Sequence, residues 1–198
     1  MRRVALMVLL SIATAAAADK DKARFAPGPA SSYKGFQTLD KITIAAVPFL
    51  TEEQTHQAFD KVNPNKYGVL PVLVILENGT GKAVRLDLKA EFVDAGGRHL
   101  EATPAADVAR LNGVTKAPKI GSGSPLPLPH REHRGPLNVW EIEGRAFAAK
   151  LLPPGDSVYG FFYFQTEHQP GARVYLTGLK DAATGQDFFY FEVPLEMQ

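Results

Sequence analysis

The chain has 198 residues, 22 of them basic and 21 acidic, and no cysteine. That length holds one domain with a full core. The charge balance gives no electrostatic case for nucleic acid or an anionic membrane surface, and the missing cysteine excludes disulfides, thiolate metal sites, a cysteine nucleophile and a lipid anchor on an N-terminal cysteine.

The first segment reads as a secretory signal peptide. Arg2 and Arg3 precede an apolar run from Val4 to Ile12, and Ala16, Ala17 and Ala18 supply small residues before Asp19. The run is too short for a membrane span. Cleavage after Ala18 removes two arginines, taking the 22 basic residues to 20 against 21 acids. The expected location is periplasmic or extracellular, with no membrane span and no lipid anchor. A secreted chain without disulfides fits a bacterial setting. Residues 19–40 read as a flexible lead-in, charged at first and then rich in Pro, Gly, Ala and Ser. A single domain is expected over 41–198.

Lys41–Phe49 is strand-like. Thr51 with Gln54 three residues on predicts a capping box and a short helix ending by Asn63-Pro64. "YGVLPVLVILEN" is the near-continuous apolar run of a strand buried on both faces, with Pro71 marking a bulge or a sheet edge. "NGTG" (Asn78–Gly81) predicts a hairpin turn; it imitates a P-loop but lacks the first glycine and the Ser/Thr, and a strand follows it. Asn78-Gly79-Thr80 is also a formal glycosylation sequon. Val84, Leu86, Leu88, Ala90 and Phe92 alternate with charged residues, as in a half-buried strand, and "RHLEA" is placed to pair back on it. Thr103, Pro104 and Gly113 bracket a second helix as cap, first turn and C-terminal glycine.

A long irregular loop is expected at about 114–138. It holds "HREHR", the most chemical-looking piece of the chain, in which His130 and His133 could hold a metal with His99, His168 or an acid completing the set; the spacing is not that of a zincin, and Pro129 and Gly135 argue against a helix there. From Arg145 onward, strands and turns alternate, giving seven or eight strands in all.

"SVYGFFYF" (Ser157–Phe164) resembles the base-stacking strand of an RRM, but the basic start, the second small residue and the order of elements are missing. Read as an antiparallel meander with the two strands after it, with Phe162 opposite Leu176 and Leu176 opposite Phe191, the sheet is two-faced. Val158, Phe162, Phe164, Val174, Leu176, Phe189, Phe191 and Val193 form a core face. Tyr159, Phe161, Tyr163, Tyr175 and Tyr190 lie on the other. Either the 114–138 loop covers that second face, with Leu126, Leu128, Leu137 and Trp140, or a partner does.

At "AKLLPPGDSVYGFFYF" and "VYLTGLKDAATGQDFFYFEVPL" the chain resembles secreted bacterial Ig-like sandwich domains of uncharacterised function, over roughly Lys41–Val93 and Arg145–Leu195. The resemblance implies a fold and an envelope location and brings no catalytic residues. The expected fold is therefore mainly β, an antiparallel Ig-like β-sandwich with one or two short helical insertions. The expected function is a non-catalytic interaction or accessory module of the bacterial envelope, without cofactor, whose partner is another envelope protein. The alternative is a carbohydrate or small-ligand binder using Tyr159, Phe161, Tyr163, Tyr175, Tyr190 and Trp140. A metal-dependent hydrolase at His130 and His133 ranks third.

Overall fold

A computed structural model describes residues 25–111, 137 and 139–197. Nine strands and three helices lie among them. In chain order they are β1 (Phe36–Leu39), β2 (Ile42–Pro48), α1 (Glu52–Phe59), β3 (Leu70–Asn78), β4 (Val84–Val93), β5 (His99–Glu101), α2 (Ala105–Val108), α3 (Val139–Arg145), β6 (Leu151–Leu152), β7 (Ser157–Phe164), β8 (Arg173–Asp181) and β9 (Phe191–Pro194). Two antiparallel sheets face each other as a β-sandwich. Sheet A runs β1-β2-β3-β7; sheet B runs β5-β4-β8-β9, with β6 also paired to β4.

The core between the sheets is built from alternate residues of both, among them Ile44, Val72, Leu76, Leu86, Leu176 and Phe191. A second core lies on the far side of sheet A. There Val47, Leu73, Ile75, Phe161 and Tyr163 are covered by Phe59, Val108, Leu137 and Ile142 from the helical layer. β3 is therefore buried on both faces, as its unbroken apolar run requires. Pro71 marks neither a bulge nor an edge. Its carbonyl accepts the Phe49 N–H, so its missing donor would face the same side, where β2 has already ended at Pro48.

The predicted capping box is present: Thr51 Oγ1 accepts from Gln54 N–H, and Gln54 Oε1 accepts from Thr51 N–H. The second helix departs from expectation. Its N-cap is Pro104, with no side-chain cap, and Thr103 instead donates its N–H to the Tyr163 carbonyl. Gly113 lies outside the described residues. Residues 25–40 are part of the sandwich. Phe25 packs on Phe49 and Phe161, Ala30 is fully buried, and β1 pairs with β2.

The meander expected of the last three strands is replaced by a split. Leu176 does pair with Phe191, but Phe162 pairs with Val72 of β3, and β7 and β8 lie in different sheets. A period of two fixes which side of a strand is apolar without naming its neighbour. All of the expected core-face residues except Phe189 therefore stay inward, while the 165–172 connection crosses between sheets.

"NGTG" likewise joins β3 to β4 across the sandwich, and is not a hairpin. Asn78 closes this corner. Buried at 1% exposure, it donates through Nδ2 to the carbonyls of Lys82, Leu152 and Pro153, and accepts at Oδ1 from Thr80 N–H and Oγ1.

Two further features lock sheet B. The register of β4 against β8 slips between Leu86 and Lys89, and Gly178 sits at that bulge with φ +88°. A side chain there would run into the Asp87 carbonyl. At the end of β8, Asp181 Oδ1 accepts the N–H groups of Thr184 and Ala183, and Lys82 Nζ lies 3.1 Å from Oδ2.

Two predictions follow from these locks. Gly178→Ala is expected to lower stability by about 2–4 kcal/mol through backbone strain and the clash at Asp87; an unchanged urea midpoint would refute this. The Thr184 N–H, then Lys82, hold the Asp181 carboxyl at about 2 against an ordinary 3.8. The folded state thus binds this proton less readily than the unfolded chain. Its stabilisation is full above 3.8 and is lost as pH falls from there through about 2. Asp181→Asn should flatten the fall in melting temperature over that interval, and an identical acid limb in variant and parent would exclude the assignment.

Candidate functional site

β7 alternates strictly. Val158, Phe162 and Phe164 turn toward sheet B, and Tyr159, Phe161 and Tyr163 turn toward the helical layer. The second set is largely enclosed by the chain itself. Phe161 is 2% exposed, with ring centroids 4.7 Å from Phe59, 5.0 Å from Phe49 and 5.8 Å from Phe25. Tyr163 is 1% exposed and donates its hydroxyl to the Ile142 carbonyl at 2.7 Å. Burial pushes its ionisation far above the ordinary tyrosine range. Tyr159 keeps a half-open ring and donates to the Phe25 carbonyl at 2.9 Å.

Phe161 and Tyr163, expected as contact residues, are thus core residues of the helical layer in this fold. The cover comes from α1, α3 and residues 25–33, with Leu137 buried among them. Leu126, Leu128 and the rest of 114–136 lie outside the described residues, as do His130 and His133. Trp140, on α3, is 85% exposed.

Tyr175 and Tyr190 do not share a surface with the β7 tyrosines, because β7 and β8 belong to different sheets. They meet on the outer face of sheet B, with ring centroids 5.1 Å apart and planes tilted by 36°. His99 completes the row, edge-on to Tyr175 at 5.8 Å, and its Nδ1 lies 2.6 Å from Glu91 Oε2. Arg173 and Glu192 flank the row 3.7 Å apart.

Phe189 stands beside Tyr190 in the chain and is 69% exposed; Tyr190 is 53% exposed. Phe189 was expected in the core. The segment is irregular, however: Phe188 donates its N–H to the Leu179 carbonyl and packs inward, Phe191 packs inward again, and the two residues between them are turned out. His99 beside Tyr175 and the exposure of Phe189 are what the sequence did not reveal. The run of four aromatics, Phe188 to Phe191, was itself a signal, since four in succession cannot all turn to one side of a strand with a period of two.

A second concavity lies at the open side of the sandwich, between the β7 edge and the β4–β5 pair. Two chain crossings frame it. Thr103 N–H bonds to the Tyr163 carbonyl at one end, and Phe147 N–H bonds to the Phe161 carbonyl at the other. These crossings also shield the β7 edge from further pairing. The cleft encloses about 410 Å³. Leu88, Ala90, Ala102, Thr103, Phe147 and Phe162 are among the residues that line it, while Glu91 and Glu101 stand opposite each other on the Tyr175 side of β4. Phe147 and Phe162 stack at 5.4 Å and 14°.

Among the described residues, no group of three or more His, Asp and Glu side chains is placed to hold a metal ion. The Glu91–His99 pair is a surface contact, of a kind that contributes little by itself. The structural role of Tyr163 is testable. Tyr163→Phe leaves the buried Ile142 carbonyl without this donor and should cost about 1–2 kcal/mol in urea unfolding, with near-native circular dichroism. A loss under about 0.3 kcal/mol would mean the bond contributes nothing.

No protein-family model matches the chain, and no curated protein matches it. Among solved structures, the chain is similar to a structural-genomics crystal structure titled as the ApaA protein from Bordetella pertussis. The two are 15% identical, the match covers 82% of this chain and 91% of that one, and the TM-score is 0.34. A second structural-genomics X-ray structure is 12% identical, with 79% and 83% of the two chains covered and a TM-score of 0.31. At these scores neither likeness carries an argument about fold or function.

Proposed function

We propose that the protein is a secreted, non-catalytic β-sandwich that docks another protein of the bacterial envelope through the outer face of sheet B. The observation that carries this reading is the Tyr175–Tyr190 pair, flanked by charged pairs, with the exposed Phe189 next to it in the chain. Protein interfaces favour this composition, with aromatic anchors inside a polar rim. Exposed aromatic surface is otherwise a solubility cost. The enclosure of Phe161 and Tyr163 concentrates the case on this one face. The signal-peptide pattern and the absence of cysteine support the envelope setting.

The carbohydrate reading is weaker on geometry. Tyr175 and Tyr190 tilt against each other at contact distance and do not form a flat stacking platform. A photo-crosslinking residue placed at Tyr190 in secreting cells should yield a discrete protein adduct. The same residue placed at Lys61, on the helical side, should not. Phe189→Ser should weaken capture of that partner by at least about fivefold, the order expected of an interface anchor. Equal background at both positions would refute the docking face.

A further inference from the structure

Asn78 ends β3 and is followed by glycine. An Asn-Gly pair has a reaction of its own. The glycine backbone nitrogen loses its proton and attacks the asparagine Cγ, the side-chain nitrogen leaves as ammonia, and a succinimide ring closes. Water then opens the ring at either carbonyl. The product is an aspartate, or an isoaspartate whose main chain runs through the former side chain. Glycine favours the attack because it has no Cβ to obstruct the approach and its backbone turns freely.

The fold holds the reacting atoms apart. Gly79 donates its N–H to the Lys41 carbonyl at 2.8 Å, so the nitrogen keeps the proton it must lose. Nδ2 of Asn78, the leaving group, donates to the carbonyls of Lys82, Leu152 and Pro153 at 2.8, 3.0 and 3.1 Å. Oδ1 is held by Thr80 N–H and Oγ1. The main chain is pinned as well: Asn78 N–H donates to the Asp156 carbonyl, and the Asn78 carbonyl accepts from Gly155 N–H. Bringing Cγ onto the Gly79 nitrogen breaks several of these bonds at once. At 1% exposure, Asn78 is also shut away from the water that opens the ring. An unfolded chain has none of these restraints.

Neither product fits the corner. A carboxylate has no hydrogen to donate, so it would face three carbonyl oxygens as an acceptor among acceptors. An uncompensated buried charge is strongly destabilising. The isoaspartate lengthens the main chain by one carbon where Asn78 pairs with Ile42 of β2.

We infer that Asn78 is a fold-gated deamidation site, intact in the folded protein, hydrolysed in the unfolded chain and, once hydrolysed, a bar to folding. A chain left unfolded loses its route to the native state irreversibly. The test keeps the full mature chain at one mildly alkaline pH and temperature, in native buffer and in guanidinium chloride, and follows Asn78 by peptide mapping. Asn112-Gly113, the other Asn-Gly pair of the sequence, is the reference in denaturant.

In guanidinium, Asn78 should convert alongside Asn112. In native buffer it should convert at least about a hundredfold more slowly than in guanidinium, since only rare opening of the corner frees it. When the aged denatured sample is returned to native buffer, the folded fraction should carry Asn78 intact, and the unfolded fraction should hold the aspartate and isoaspartate. Asn78→Asp, made directly, should give little folded protein by near-ultraviolet circular dichroism. Equal rates in the two buffers, an Asn78 that stays intact in guanidinium while Asn112 converts, equal shares of converted Asn78 in both fractions, or parent-like folding of Asn78→Asp would each overturn the proposal.

Discussion

β3 has no side that water can touch. Seven of its first eight residues are apolar, and both of its faces are buried. A strand of this kind obliges the rest of the chain to supply two covers. Sheet B is one; the layer of α1, α2, α3 and residues 25–33 is the other. The molecule thus has three layers, and this explains why the aromatics of β7 are unavailable. β7 is the neighbour of β3, so its outward side falls under the cover that β3 demands.

The same arrangement leaves sheet B as the open sheet. β4 and β8 alternate buried apolar residues with exposed charged or polar ones. Among the described residues, Tyr175 and Tyr190 gather on that outer surface where β8 meets β9 and the irregular 188–190 segment. An apolar cluster survives there because no helix passes over it in the described structure, and the surrounding ion pairs keep it confined.

Much of the fold was legible in the sequence, and for identifiable reasons. The capping box at Thr51 and Gln54 is a local hydrogen-bond pattern, and it formed as written. The apolar run of β3 and the alternation of β4 reported burial directly. Partnership was not legible: nothing in "SVYGFFYF" says that Phe162 meets Val72 across the sheet. Pairing is a long-range choice made by the whole core, and the Tyr-rich face assembled from three strands was divided for that reason. α3 was missed because "NVWEIEGR" is short and follows an irregular stretch, although Asn138 with Glu141 three residues on is a helix-start pattern. The cleft, formed by two crossings far apart in sequence, left no local trace.

Asn78 carries a consequence for how the protein is made. Its side chain is the buried knot of the β3–β4 corner, yet Asn78-Gly79-Thr80 has the form that a glycosylating secretory pathway recognises. Such a pathway acts on a chain still emerging and unfolded. A glycan attached there would remove a donor from Nδ2 and add bulk where three carbonyls converge, so the corner could not close around it. The sequon cannot be silenced harmlessly at its third residue either, because Thr80 Oγ1 is bonded to Asn78 Oδ1 at 2.6 Å. The fold and that modification are mutually exclusive: the corner closes only on a chain whose Asn78 amide is left bare.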